Sequence, residues 1–275
     1  LALSSTQPFY SKIGQGSAMT ISACITAHNE ELNIERTLRS IDWVDEIILV
    51  DCESTDRTAE IARYFNSKVY LRPNNLNLNL NKNFGFSKAS TEWILCLDAD
   101  EVIPRNLAEE IKSVVKSNVE ENGFFIRRKN NYFGKFLMHG GNHPDKQLRL
   151  FRKKFGKFPA KHVHERLEVE GRTGTLSETF EHYPYRDVEQ YINKLNFYTT
   201  FESNFRLQQG IKFSILRFLM TLLSAFFRFF RRYIFKLGFL DGFQGFAAAF
   251  FDFVSQLVIQ IKIWESKGNV GNDRK

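Results

Sequence analysis

Cysteine, proline and methionine are scarce in this chain, at three, six and three of 275 residues. The cysteines are Cys24, Cys52 and Cys96. They are odd in number, widely spaced and set among apolar neighbours, which argues against a disulfide scaffold or a zinc site and for buried thiols in a reducing compartment. There is no Walker-type phosphate loop and no clean GxGxxG, so a P-loop ATPase or a dinucleotide enzyme is disfavoured. Acidic residues are absent from Arg206 to Lys236, where seven basic side chains fall. Uninterrupted apolar runs are also missing: Arg217 breaks one stretch and Asp252 the next, so neither reads as a transmembrane span. Residues 1–18 have no start methionine and no sustained periodicity, and Met19 stands directly before the first expected strand. They read as a disordered arm or as expression-derived residues. A signal peptide would need a basic start and a long apolar centre.

Aromatic residues, by contrast, are plentiful. Sixteen of the 28 phenylalanines lie between Phe197 and Phe253. The composition, 43% hydrophobic and 25% charged, is that of a globular protein, and the length allows one large core with an appendage. A net charge of +7 invites nucleic acid or an anionic membrane. The basic residues alternate with aliphatic and aromatic ones on a helix and form no open stacking platform, so no nucleic-acid partner is expected. Leu219, Leu222, Leu223, Phe226, Phe230, Tyr233, Ile234 and Leu237 follow helical spacing as one apolar stripe, with Arg228, Arg231, Arg232 and Lys236 opposite. Such a helix serves an anionic membrane surface with snorkelling cations, a helical subdomain packed on the core, or a homo-oligomer interface.

Between Thr20 and about Lys116 strands and helices alternate. Strands are expected at Ile21–Ala27, Glu46–Val50, Lys68–Leu71 and Glu92–Leu97. Helices are expected near Leu32–Ser40, after Thr55–Asp56, near Phe84–Ala89 beyond an asparagine-rich loop (Asn74 to Asn83), and from Pro104, at the first helical position, to about Ser117. Continuous apolar strands separated by helices predict a parallel sheet covered on both faces. From Gly123 to about Tyr185, strands at Phe124–Arg128, Gln147–Phe151 and Leu167–Glu170 are punctuated by glycine and proline. From Asp187 onward the chain reads as mostly helical.

Two apolar strands end in acid. Glu46-Ile47-Ile48-Leu49-Val50-Asp51 runs into Cys52-Glu53-Ser54-Thr55-Asp56, and Trp93-Ile94-Leu95-Cys96-Leu97 into Asp98-Ala99-Asp100-Glu101. Open parallel sheets bind ligands at the carboxyl ends of their strands. Asp98 and Asp100, two apart, can hold Mg2+ or Mn2+ against a diphosphate, or serve simply as an acidic turn cap. Asp51 can accept from a ribose hydroxyl or a base N–H. Ser54, Thr55 and Asp56 are explained as well by capping the next helix.

Ala27-His28-Asn29-Glu30, Val50-Asp51-Cys52-Glu53-Ser54-Thr55-Asp56-Arg57-Thr58 and Leu97-Asp98-Ala99-Asp100-Glu101, in this order and at these intervals, resemble the inverting glycosyltransferases of family 2, which have the GT-A fold. The resemblance continues through Gln147-Leu148-Arg149-Leu150-Phe151-Arg152, His162-Val163-His164-Glu165-Arg166 and Glu181-His182-Tyr183-Pro184-Tyr185-Arg186 with Tyr191. This fuller set is similar to the lipopolysaccharide core β-1,4-glucosyltransferase branch.

The resemblance implies an α/β fold: a GT-A type nucleotide-sugar-binding domain with a mostly parallel central sheet over residues 19–200, followed by a helical, Phe-rich basic region over 201–275. Residues 19–117 would form the nucleotide half and 118–200 the acceptor half. It implies that Ala27, His28, Asn29 and Glu30 line the nucleotide pocket with Ser54, and that Asp51 contacts uridine. Asp98 would face the ribose and diphosphate, and Asp100 would coordinate the metal. Lys82, beside Asn83-Phe84-Gly85-Phe86-Ser87-Lys88-Ala89, would approach a phosphate, and Arg149 would neutralise the donor diphosphate or an anionic acceptor. His182 is either a further metal ligand or a core residue. Glu165 is the expected base, with His164 orienting it or acting in its place, and Glu101 is a less well-placed alternative.

The implied reaction moves a hexose, with glucose favoured, from a UDP-sugar to a lipid-linked glycan such as lipopolysaccharide inner core. The enzyme would sit peripherally on the inner face of a bacterial cytoplasmic membrane. A polyprenyl-phosphate sugar transferase, a nucleotidyltransferase and a non-catalytic membrane-binding module are the competing classes.

Overall fold

The computed structural model describes residues 21–75, 77–117, 119–160 and 165–272. The expectation for residues 1–18 lies outside them. In chain order the elements are β1 (Ile21–Ala27), α1 (Ile34–Arg39), β2 (Glu46–Asp51), α2 (Thr58–Tyr64), β3 (Lys68–Leu71), α3 (Leu78–Lys88), β4 (Trp93–Asp98), β5 (Glu101–Val102) and α4 (Arg105–Lys116). There follow β6 (Gly123–Tyr132), β7 (Lys135–Leu137), β8 (Asp145–Arg152), β9 (Gly156–Lys157), β10 (Glu168–Val169), β11 (Thr173–Tyr185), α5 (Val188–Gln208), α6 (Ile215–Phe230) and α7 (Gly242–Asn272). A π turn (Arg231–Phe235) and a 3-10 turn (Gly238–Asp241) join α6 to α7.

Among the described residues the main sheet has nine strands in the order β3-β2-β1-β4-β8-β6-β11-β5, with β7 on β6. Strands β3, β2, β1 and β4 run parallel; β8 is antiparallel to both its neighbours, and β6 pairs parallel with β11. The α/β GT-A-like architecture expected from the motifs is therefore present, with a helical, aromatic-rich C-terminal region. Two apolar clusters cover the two faces. One centres on Ile25, Leu38, Leu95, Leu107 and Phe180. The other centres on Ile48, Phe86, Ile94 and Phe151. Strands β1, β2 and β4 read as unbroken apolar runs because both of their faces are buried.

The structure departs from the sequence reading in four places. First, α3 begins at Leu78, so much of the asparagine-rich segment is helix. Its asparagines replace backbone partners: Asn77 caps the helix, Asn81 donates to Cys52 Sγ and the Pro73 carbonyl, and Asn83 exchanges bonds with both Phe158 backbone groups. Gly85 lets this helix lie close on the sheet, since a Cβ there would meet Val50 Cγ2 at 3.1 Å. Second, Pro104 is the N-cap of α4 rather than its first helical residue.

Third, β11 is a thirteen-residue strand that the sequence reading leaves without a strand assignment. Its polar alternation is interrupted by irregular register against β6, which blurs the period of two. Fourth, the apolar stripe of α6 divides. Leu222 and Tyr233 are half-buried, while Leu219, Leu223, Phe226, Phe230, Ile234 and Leu237 are exposed. Asp252, expected to break an apolar run, is gripped bidentately by Arg228 at 2.6 and 2.9 Å, with Arg232 3.6 Å away. Gly238–Ser266 is nonetheless long and apolar enough, by length and composition, to cross a membrane, and 33% of its most apolar 18-residue window is buried in protein.

Candidate active site

Register gathers the acidic strand ends. Strand β1 lies between β2 and β4, setting Ala27 beside Asp51 and Thr26 beside Asp98. The chain leaves this edge as Ala27-His28-Asn29-Glu30, and that loop is fastened to the one following β2. The Asn29 N–H donates to Ser54 Oγ at 2.9 Å, the Thr55 N–H to Asn29 Oδ1 at 2.8 Å, and the Glu30 N–H to Thr58 Oγ1 at 2.8 Å. Asn29 takes a left-handed conformation (φ 54°), which asparagine tolerates better than most residues. His28 Nδ1 lies 2.6 Å from the Cys52 carbonyl oxygen. Burial, reinforced by the Asp100 charge, raises the Glu30 carboxyl.

Asp51 is 4% exposed, and its Oδ1 has no hydrogen-bond partner among the described residues. Asn81 Oδ1 is likewise buried and without a donor. A buried acceptor left unmet costs about 1–3 kcal/mol, so these two oxygens are open to donors from a ligand or water. Nearby, the Arg72 N–H bonds the Asp51 carbonyl, and its guanidinium lies over Phe84 at 4.6 Å.

Asp98 is locked. Lys82 Nζ reaches Oδ1 at 2.6 Å and Arg149 reaches Oδ2 at 2.7 Å; the same Arg149 also bonds Glu101. Burial alone would raise the Asp98 carboxyl, but Lys82 and Arg149 override it and hold it well below the usual carboxylate range. Both cations, expected near phosphate, are therefore engaged by Asp98, and Lys82 also stands 5.6 Å from the Phe158 ring. Glu101 is fully buried and accepts from the Asp98 N–H, so it cannot face an acceptor hydroxyl.

Asp100 stands in the turn between β4 and β5. Strand β11 comes alongside here: His182 registers with Glu101, and the Tyr183 N–H bonds the Asp100 carbonyl at 2.9 Å. His182 Nε2 is thereby 3.5 Å from Asp100 Oδ1, and Lys194 Nζ is 3.8 Å from Oδ2. His182 Nδ1 is 2.7 Å from Asn130 Oδ1. Since an amide oxygen only accepts, Nδ1 carries a proton toward Asn130, and Nε2 is the nitrogen turned to Asp100. Burial opposes ionisation of Asp100, and His182 and Lys194 outweigh it to lower the carboxyl.

A cation bridging a nucleotide diphosphate takes most of its ligands from phosphate and water and only one or two from protein. Asp100 and His182 provide that number. Among the described residues no cluster of three His, Cys, Asp or Glu side chains forms a closed protein cage. The donor set fits an open, substrate-completed site.

Of the expected site residues, Ala27, His28, Asn29, Glu30, Asp51, Ser54, Lys82, Asp98, Asp100, Arg149 and His182 gather at this edge. Glu165 is half-buried and follows the segment 161–164, between Ala160, whose carbonyl accepts from Asn77, and Leu167, packed with the Phe86 cluster. His164 lies outside the described residues. Sequence reasoning did not find Asn130 and Lys194. Lys194 is an ordinary lysine on a polar helix and left no signal. Asn130 was recoverable only from the β6–β11 pairing, which sets it opposite His182.

The profile described as Glycosyl transferase family 2 matches residues 22–168. The chain is 32% identical to an uncharacterized glycosyltransferase of Rickettsia felis, over 82% of this chain and 83% of that one. It is 25% identical to the lipopolysaccharide core biosynthesis glycosyltransferase LpsC of Rhizobium meliloti, over 82% and 86%. Among solved structures it is similar to S. aureus TarS 1–349, with 13% identity, coverage of 90% and 92%, and a TM-score of 0.47.

Proposed function

Because the chain belongs to glycosyl transferase family 2 and is thus a sugar-transferring enzyme, we propose that it moves a hexose, glucose favoured, from a UDP-sugar to a lipid-linked glycan with inversion. The observation that carries the donor reading is the buried Asp51 oxygen without a donor. Uracil offers an N3–H at its pairing edge, whereas cytosine presents only an acceptor at that position. Asp98, held ionised and fixed by Lys82 and Arg149, orients the ribose and diphosphate side. A divalent cation held by Asp100 and His182 would neutralise charge on the departing diphosphate.

The chain's own part in the displacement is positional and protonic. The acceptor hydroxyl oxygen attacks the anomeric carbon from the face opposite the diphosphate. The bond to the phosphate oxygen breaks, its electron pair leaves with UDP, and Glu165 takes the hydroxyl proton, with His164 orienting it. The acceptor assignment to lipopolysaccharide inner core draws on the LpsC relative. The exposed faces of α6 and α7, bearing Leu219, Leu223, Phe226, Phe227, Phe243 and Trp264 among basic residues, support a seat for the cleft at an anionic inner leaflet. They support a peripheral seat on the bacterial cytoplasmic membrane.

The test is sugar transfer from UDP-, GDP- and CDP-hexoses to purified deep-rough lipopolysaccharide, followed by mass spectrometry. Transfer from UDP-glucose with an inverted linkage supports the reading; transfer only from GDP- or CDP-sugars overturns it. Glu165→Gln should lower the rate about 10²–10⁴-fold. A variant at full rate points instead to a phosphate nucleophile that needs no base.

A further inference from the structure

A cavity has His182, the neighbour of Asp100, in its wall. It has a volume of about 380 Å³, and Arg128, Asn130, Asn142, Asp145, His182 and Arg232 are among the residues lining it. Five of these belong to the sheet domain. Arg232 comes from the π turn after α6, ninety residues beyond Asn142, which it meets at 2.7 Å.

The contact is part of a larger clip. Asp241, almost fully buried, accepts from the Met138 and His139 N–H groups at 3.2 and 2.8 Å and lies 2.9 Å from His139 Nδ1. The Gly140 N–H bonds the Lys236 carbonyl at 2.8 Å. Lys236 Nζ lies against Gly141, so closely that a Cβ there would be 2.8 Å from it. The wall formed by residues 138–142 is thus held in place by the C-terminal helical region.

The charges around the cavity do not balance. Asp145 is matched by Arg128, which reaches it at 2.7 Å. Asp252 is taken bidentately by Arg228, leaving Arg232 as a distant second partner at 3.6 Å. The cations Arg128, Arg228, Arg232 and Lys236 face Asp145 and Asp252, with Glu101 a further partner of Arg128 at 3.7 Å, and the least engaged of the four are Arg232 and, at the rim, Lys236. A guanidinium with unused N–H groups at the wall of a polar cavity is a receptor for a phosphate or carboxylate oxygen.

We propose that this cavity binds a sugar residue of the acceptor that carries a phosphate or carboxylate group, and that Arg232 is the specificity-determining contact to that group. The inference rests on the glycosyltransfer reading above and deepens it by naming the acceptor's chemistry. It also makes the helical region part of the acceptor site, in addition to its place at a membrane. Asn130, Asn142 and Asp145 meet the sugar hydroxyls, while His182 marks the wall shared with the donor.

The test uses the full chain and calorimetric titration with glucose 6-phosphate, glucuronate and glucose, in the presence of UDP and Mn2+. Wild type should bind at least one of the charged sugars at least tenfold more tightly than glucose, and which one distinguishes phosphate from carboxylate. Arg232→Gln should lose that preference by about tenfold, and Lys236→Gln, at the exposed rim, by a few-fold, with UDP affinity unchanged in both. Equal binding of charged and neutral sugars by wild type, binding of none of them, or an Arg232→Gln variant that keeps the preference would overturn the proposal. Loss of UDP binding by wild type would instead strike the donor reading, so the two failures are distinguishable.

Discussion

The sheet edge and the C-terminal helices handle charge and apolar surface in opposite ways. At the edge, ionised groups are cross-linked, with Asp98 between Lys82 and the buried Arg149, and strands β1, β2 and β4 behind it expose no large apolar side chain. In α6 and α7 large apolar side chains face outward: Leu216, Phe227 and Phe243 are each more than 60% exposed. On the proposed reading, charge is concealed where it is aimed at one small ligand, and apolar surface is displayed toward an extended one. A globular chain does not keep such a face for water, since patches of this kind mark interaction sites.

The comparison can be broken first at Asp98. Asp98→Asn leaves Lys82 and Arg149 buried without their shared carboxylate and should cost about 3–5 kcal/mol in urea denaturation. A loss under about 1 kcal/mol would show that the lock is not structural. The same carboxyl predicts an acid limb. Its folded value is depressed, so its stabilisation is present above the ordinary carboxylate value of about 3.9 and is lost as pH falls through its lower folded value. Wild type should lose stability across that window, and Asp98→Asn should show a shallower slope there.

A smaller contrast separates core from helix face. Leu97→Ala, in the buried β4, should cost about 2–5 kcal/mol, whereas Leu223→Ala on the exposed face of α6 should stay within about 0.5 kcal/mol. Phe226→Gln and Phe227→Gln should leave stability in place and each lower partition onto anionic vesicles about tenfold. Unchanged partition, with a shift from dimer to monomer in sedimentation, would reassign the face to a second copy of the chain. The smallest effect is expected at Asp252→Asn. That pair is partly solvated and should cost under about 1 kcal/mol in stability, while the released Arg232 tightens binding of charged sugars.

How much of this was legible in the sequence follows from where the determinants lie. Strands β1, β2 and β4 announce themselves because burial on both faces demands unbroken apolar runs, and their acidic ends mark the ligand edge. The α3 start was hidden because Asn77, Asn79, Asn81 and Asn83 look like loop residues; their side-chain bonds to Cys52, Pro73 and Phe158 are tertiary and have no local period. The union of Asp100 with His182 and Lys194 depends on β11 crossing to the sheet's far side, and spacing along the chain cannot express that. The Arg232 cavity depends on a clip between residues ninety apart in sequence, so a linear reading assigns that arginine only to a basic stripe.

We propose that Asp100 and His182 form a substrate-completed metal site for a uridine diphosphate donor. It is tested most directly by calorimetric titration of UDP, GDP and CDP, with Mn2+ present and then removed, on wild type and Asp100→Ala. UDP binding should require the metal, exceed GDP and CDP binding, and be lost in the variant. Binding of UDP that persists without metal and survives Asp100→Ala would contradict it.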